Sequence, residues 1–278
     1  MHTRRDARPP AGHPDIRLIV TDMDGTLLDA DGNVPLGLWP LLDELRRRGI
    51  VFSPASGRQY ATLAHLFEGV DAGMVYIAEN GALVVRDGVE LSSDPLDPAV
   101  SARLVTRVRQ LVREGRDIGV VVCGKRSAYT ERGDAAFLSE VLTYYRAHRL
   151  VDDATAVDDE IIKVAVLDFG GAERSAPALA DFSGTHQVVV SGEHWIDVMN
   201  RTADKGAAVR RLQHDMGIGP EQTMVFGDYL NDLEMLDTAD WSFAMANAHP
   251  DVLRRARHTA PAHTDDGVLR TIKDLLGI

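Results

Sequence analysis

The chain has one cysteine, Cys123, among 278 residues, which excludes an intrachain disulfide and any metal centre built on several thiolates. It also lacks an apolar run approaching the ~20 residues of a membrane-spanning helix. Lysine is scarce: Lys125, Lys163, Lys205 and Lys273 are the whole set, and arginine supplies the remaining cationic charge. Acidic residues outnumber basic ones 42 to 30, giving a formal net charge of -12 at pH 7. That is the wrong sign for a protein that tracks nucleic-acid backbones. A small anion stays open as a ligand, because its binding is set by local charge. Residues 1–15 are rich in Arg, Pro and His without an apolar stretch, and are expected to form a disordered leader rather than a signal peptide. These absences predict a cytoplasmic protein with neither a membrane nor a nucleic-acid partner.

What is present is enough apolar material, 45% of the chain, for one large domain or two modest ones at ~100–200 residues each. Ile16 to Val20 reads as a buried strand. Leu38, Leu42 and Leu45 fall at helical spacing before Gly49, a natural helix stop. Ile50–Phe52 and Met74–Ala78 read as further strands, with a helix around Leu63, Leu66 and Phe67 between them. Strands alternating with helices predict a parallel sheet covered on both faces. From Val84 to Trp195 the pattern changes. Asn80-Gly81 and Asp87-Gly88 are hairpin signals, and strand candidates at Ile118–Cys123, Ile161–Phe169 and Val188–Val190 are separated by helical stretches. Alternation resumes after Ile196-Asp197-Val198-Met199, with a helix from Lys205, a strand at Thr223–Phe226 and another at Trp241–Met245. The expected fold is α/β: a doubly wound, Rossmann-like parallel-sheet core (16–83 and 196–278) with an inserted α/β cap domain (84–195).

Chemistry concentrates at the carboxyl ends of these strands, where ligands bind in open α/β sheets. Asp22-Met23-Asp24-Gly25-Thr26 puts two carboxylates at the end of the first strand, and a carboxylate can attack phosphorus to form an aspartyl-phosphate. Ser56-Gly57-Arg58 offers a hydroxyl and exposed amides after the second strand. Lys205 opens a helix against the dipole's preference for anions at that end, as a cation facing an anion would. Gly227-Asp228-Tyr229-Leu230-Asn231-Asp232 ends another strand. Each motif alone also fits a plain structural role: an Asp-Gly turn, a Ser-Gly turn, a solvated lysine or a helix cap. Their joint presence suits phosphoryl transfer. Converging carboxylates ~4 Å apart repel by ~4 kcal/mol at an effective dielectric of 20, so the cluster needs Lys205 and a divalent cation. Oxygen donors without His or Cys point to Mg²⁺ rather than zinc.

These motifs resemble those of the haloacid dehalogenase superfamily, specifically its Cof-type phosphatases with a large α/β cap, over Ile16 to Ile278. Asp22-Met23-Asp24-Gly25-Thr26 resembles the nucleophile loop, Ala55-Ser56-Gly57-Arg58 the hydroxyl motif, Asp204-Lys205-Gly206 the lysine motif, and Gly227–Asp232 the acidic motif. Glu79-Asn80-Gly81-Ala82 is similar to the segment leading into the cap. The resemblance implies Asp22 as nucleophile and Asp24 as acid and base. It implies Mg²⁺ held by Asp22, the Asp24 carbonyl and Asp228, with Asp232 assisting from behind. Phosphoryl oxygens would be bound by Gly25, Ser56, Gly57, Lys205 and Asn231. Ser56 stands where threonine is common, and Asn200-Arg201-Thr202-Ala203 where a turn with proline and glycine is frequent.

The implied function is Mg²⁺-dependent hydrolysis of a small phosphorylated metabolite, such as a sugar phosphate, by way of an aspartyl-phosphate. Specificity would reside in the cap, which would open and close over the site. A phosphomannomutase-like transferase is the alternative, with Lys125, Arg126 and Arg132 as candidates for a second phosphate. A non-catalytic binding protein on the same scaffold is a third reading. In the cap, His194, Trp195, Tyr129 and Lys125 are candidates for substrate contact or for plain packing.

Overall fold

The structure, a computed structural model, describes residues 13–278, so residues 1–12 of the expected leader lie outside it. Its last three residues are described. His13 Nδ1 lies 2.9 Å from the Leu275 carbonyl oxygen, and Asp15 accepts from Arg17 and Gln222, both at 2.8 Å.

The chain runs β1 (Leu18–Asp22), α1 (Leu38–Arg47), β2 (Val51–Ala55), α2 (Tyr60–Leu66), β3 (Val75–Ala78), β4 (Leu83–Arg86), β5 (Val89–Ser93) and α3 (Pro98–Arg113). It continues through β6 (Ile118–Gly124), β7 (Ala128–Thr130), α4 (Ala135–Tyr144), β8 (His148–Leu150), β9 (Ile161–Asp168), α5 (Ala172–Ser175), β10 (His186–Val190) and β11 (Trp195–Asn200). Last come α6 (Lys205–Met216), β12 (Thr223–Gly227), α7 (Leu233–Leu236), β13 (Trp241–Met245), α8 (Pro250–Arg255), β14 (His258–Ala260) and α9 (Gly267–Leu276). This is the α/β fold that the alternating pattern predicts. Two compact units divide it: the described part of residues 1–53 with Val209–Ile278, and Pro54–Ala208.

In the first unit the strand order is β14-β13-β12-β1-β2. β1 pairs in parallel with β12, β12 with β13 and β13 with β14. The strand residues from Leu18 to Asp22 are all buried, and so are those from Thr223 to Gly227, as a parallel sheet covered on both faces requires. Gly49 ends α1. At φ +70 it donates to the Arg46 carbonyl at 3.0 Å, while Ile50 reaches back to Leu45 at 2.9 Å, a Schellman closure that a residue with a Cβ would strain. The chain leaves β1 on one side toward β2 and returns on the other through β12. The gap between β1 and β12 is therefore a topological switch point, where open α/β sheets bind ligands.

In the second unit, β3, β4 and β5 form antiparallel hairpins. Asp87 and Gly88 both take positive φ, +49 and +75, the two-residue turn that the Asp-Gly pair predicts. A separate six-stranded sheet has the order β10-β11-β9-β6-β7-β8. One face packs Val120, Val122, Val164, Val166, Ile196 and Val198 against α3 residues such as Leu104 and Val108. The other packs Val121, Cys123, Ala165 and Leu167 against Phe137, Val141 and Tyr145. The alternation of these side chains along each strand is the period of two expected for a sheet buried on both faces.

One pairing differs from the sequence expectation: the hairpin expected at the start of the middle block pairs with β3 instead of joining the six-stranded sheet. β11, which carries the Ile196–Met199 run that precedes the renewed alternation, lies antiparallel to both β9 and β10. Apolar periodicity identifies a strand, but its neighbours are chosen by long-range packing. The short strands β7 and β8, of three residues each, carry too little pattern to be read in advance.

Candidate active site

The β1–β12 register pairs Leu18 with Thr223 and Thr21 with Phe226. Asp22 and Asp228, which follow, are thereby carried to the same end of adjacent strands. Beyond Asp22 the backbone makes a wide turn, closed by the Leu28 amide on the Met23 carbonyl at 2.9 Å. Gly25 in that turn has φ +76, and a Cβ there would overlap Asp228 Oδ2. Only glycine meets both demands. Thr26 then donates its hydroxyl to Asp228 Oδ1 at 3.0 Å, orienting the carboxylate.

Asp232 is fully buried, and its Oδ2 accepts the amides of Asp228 at 3.0 Å and Tyr229 at 3.2 Å. Those bonds fold the loop after β12 back on itself. Carboxylate oxygens of Asp22, Asp228 and Asp232 lie within 4.8 Å of one another. Three like charges so close are tolerable when a cation sits among them. Donors that are all oxygen fit a hard divalent ion such as Mg²⁺. Asp22 is 7% exposed, whereas Asp24 and Asn231 are exposed on the turns that follow β1 and β12.

Asn247 was not anticipated. It follows β13, donates Nδ2 to the Gly25 carbonyl at 2.9 Å, and accepts the His263 amide on Oδ1 at 3.1 Å. It therefore ties the turn after β1 to the segment after β14. Its position just past a parallel strand, at the same sheet edge as Asp22 and Asp228, was the available signal.

In the second unit, Ser56 and Gly57 follow β2. The Ser56 amide donates to the Ile77 carbonyl at 2.9 Å, and Ser56 Oγ accepts the Arg58 amide at 3.1 Å. A Cβ on Gly57 would stand 3.1 Å from Asn80 Nδ2, and one on Gly81 (φ +95) would overlap the Asp204 carbonyl oxygen. The Glu79–Gly81 turn thus lies against both Gly57 and the Asp204–Lys205 start of α6. Lys205 is fully buried there, and Asp204 Oδ1 caps the helix on the Ala207 amide at 2.7 Å.

The unusual Asn200–Ala203 turn is pinned from two sides. Asn200 Nδ2 donates to Asp94 at 2.7 Å and to the Pro95 carbonyl at 2.9 Å. Gln187 Nε2 lies 2.9–3.2 Å from the carbonyls of Asn200, Arg201 and Ala203. These side chains fix the approach to Lys205 without proline or glycine.

The haloacid dehalogenase-like hydrolase family model matches residues 19–272. The chain belongs to that family. It is 32% identical over 265 residues to a 5-amino-6-(5-phospho-D-ribitylamino)uracil phosphatase of Escherichia coli K12, with 94% of this chain and 96% of the relative covered. An HMP-PP phosphatase of Citrobacter koseri is 26% identical over 254 residues, covering 87% and 88% of the two chains. A crystal structure of a Eubacterium rectale protein superposes with a TM-score of 0.84 at 29% identity, covering 94% of this chain and 99% of that one. This member of the haloacid dehalogenase-like family is a Cof-type phosphatase.

The remaining candidates of this hydrolase have structural partners. Lys125 pairs with Glu160 at 2.8 Å and Glu90 at 3.0 Å. Arg132 pairs with Asp117 and Asp134, and Arg126 contacts Asp159. Tyr129 donates its hydroxyl to Asp159 at 2.9 Å. Trp195 packs edge-on against Tyr144, and His194 Nδ1 lies 3.0 Å from the Asp168 carbonyl oxygen. Among the described residues no helix is long and apolar enough to cross a membrane.

Proposed function

We propose that the protein is a Mg²⁺-dependent phosphatase that hydrolyses a small phosphomonoester through an aspartyl-phosphate on Asp22. The observation that carries this reading is the cluster of Asp22, Asp228 and Asp232 at neighbouring strand ends. Thr26 aims one of these carboxylates, and only a glycine at position 25 permits the close approach.

In the first step Asp22 attacks phosphorus, the ester P–O bond breaks, and Asp24 protonates the departing oxygen. In the second, Asp24 takes a proton from water as the water oxygen attacks phosphorus. The bond to Asp22 breaks, releasing orthophosphate and regenerating the carboxylate. Gly25, Ser56, Gly57, Lys205 and Asn231 bind phosphoryl oxygens in this reading, since the reaction is chiefly positioning and charge stabilisation. Asp22, the Asp24 carbonyl and Asp228 would hold Mg²⁺, with Asp232 beside them, and the ion would supply charge neutralisation for the phosphoryl group. Residues 84–195 act as the cap that chooses the substrate.

The E. coli relative's substrate carries a phosphorylated ribityl chain, which supports a phosphorylated sugar or sugar alcohol as the substrate class. The test is steady-state phosphate release from a phosphomonoester panel with Mg²⁺, including ribityl and hexose phosphates. Release with kcat/KM highest for such compounds is expected; no release from any panel member contradicts the reading.

A further inference from the structure

Lys163 of β9 is 1% exposed. It stands opposite Cys123 in the sheet register, on the face that Tyr145 covers. Its Nζ lies 2.5 Å from Glu79 Oε2 and 3.7 Å from Asp197 Oδ2, and 5.4 Å from the centre of the Tyr145 ring. Nζ also donates to the Gly57 carbonyl oxygen at 3.2 Å. Burial works against the ammonium, but Asp197 and Glu79 outweigh it and hold its pKa well above the usual lysine value. Burying a cation beside two carboxylates is seldom a gain in stability over apolar packing. A purely structural pair would also have no need to reach a loop carbonyl beyond its own sheet.

The reach matters because a peptide unit is planar, so fixing a carbonyl fixes the following amide. Lys163 holds the Gly57 carbonyl and with it the Arg58 amide, which points at Ser56 Oγ at 3.1 Å. The Ser56 carbonyl accepts the Asn80 amide at 2.9 Å, which sets the direction of the Gly57 amide. Asn80 is carried by Glu79, and both take positive φ, +50 and +55. Such backbone persists only where its surroundings hold it. Among the described residues neither buried Glu79 carboxylate oxygen has a hydrogen-bond partner, so the ion pair from Lys163 to Oε2 is what anchors this side chain.

We propose that Lys163 is a positioning residue for the phosphoryl-binding loop, fixing from β9 the two peptide planes that flank Gly57. One plane is held through the Gly57 carbonyl, the other through Glu79 and Asn80. The inference rests on Ser56–Gly57 being the phosphoryl cradle of the proposed phosphatase. A neighbouring contact ties the same loop to the residue that leads into β8. The Gln59 side chain exchanges two hydrogen bonds with the Ala147 backbone, at 2.9 and 3.0 Å.

The test compares wild type, Lys163→Met and the double variant Lys163→Met/Glu79→Gln. Lys163→Met leaves Glu79 without its cation and is expected to melt early. The double variant removes both charges and is expected to melt close to wild type. Each folded protein is assayed for kcat and KM, for competitive inhibition by orthophosphate, and for the Mg²⁺ concentration giving half-maximal activity. The expected result for the double variant is orthophosphate inhibition weakened about tenfold or more, with KM raised and the Mg²⁺ requirement unchanged. A double variant with wild-type stability and wild-type orthophosphate inhibition overturns the positioning role and leaves the phosphatase standing. Wild-type protein that releases no phosphate overturns both.

Discussion

Gly25 and Asp228 meet so closely that a methyl group on the Gly25 α-carbon would overlap the Asp228 carboxylate. Gly25→Ala must therefore displace either the turn after β1 or the carboxylate, and it also forces a side chain into φ +76. We expect a loss of stability of about 1 kcal/mol or more, and a much larger loss of kcat. Chemical denaturation and phosphate release measured on one preparation check this. A variant that keeps wild-type kcat would show that the approach of Gly25 to Asp228 is not needed for turnover.

Asp232 adds negative charge to the cluster while holding the Asp228 and Tyr229 amides. Asp232→Asn keeps an oxygen for those amides and removes the charge. Melting without divalent ions should stay near wild type or rise, because repulsion among the carboxylates falls. The rise in melting temperature on adding Mg²⁺ should shrink, since a ligand stabilises only as far as it binds the folded state. An undiminished Mg²⁺ increment would remove Asp232 from the metal site.

Arg109 bridges Glu131 and Asp153 in the second unit. Glu131 sits below the usual glutamate range, chiefly because Arg109 bonds it. Asp153 is lowered to about 2, by bonds from Thr155 and then Arg109. Depressed carboxyl groups stabilise the fold above their unfolded values and lose that contribution as pH falls through the folded ones. Wild-type melting temperature should thus decline between about pH 4.5, near the free glutamate value, and about pH 2. Arg109→Met should flatten part of that decline, as read from thermal melts across the window. An equal slope in both proteins would contradict the assignment.

The basic side chains considered for a second phosphate, Lys125, Arg126 and Arg132, are each engaged by carboxylates. Incubation with a hexose phosphate should consequently yield orthophosphate and free sugar, with no isomerised sugar phosphate. Phosphorus NMR of the mixture distinguishes the outcomes, and accumulation of the isomer would favour a mutase.

Much of this was legible in the chain itself, for physical reasons. The strand preceding Asp22 and the strand preceding Asp228 are continuous apolar runs, and each ends in carboxylates that a buried sheet would otherwise exclude. Their being neighbours was not legible, since register between β1 and β12 depends on packing across the whole sheet. Lys163 was visible only as one of four lysines. Nothing around it in sequence shows that β9 places it beside Glu79 and Gly57, two loops it meets through tertiary contacts alone. Asn247 was hidden for a similar reason: its partners, Gly25 and His263, lie on separate loops.

The central claim is that Asp22 is the nucleophile of a metal-assisted phosphatase, and its most direct test is phosphate release by wild type and Asp22→Asn under saturating Mg²⁺. An amide cannot attack phosphorus as a carboxylate does, so the account predicts turnover by wild type and only the uncatalysed background from the variant, with the variant still folded. Substantial phosphate release by a folded Asp22→Asn protein would contradict it.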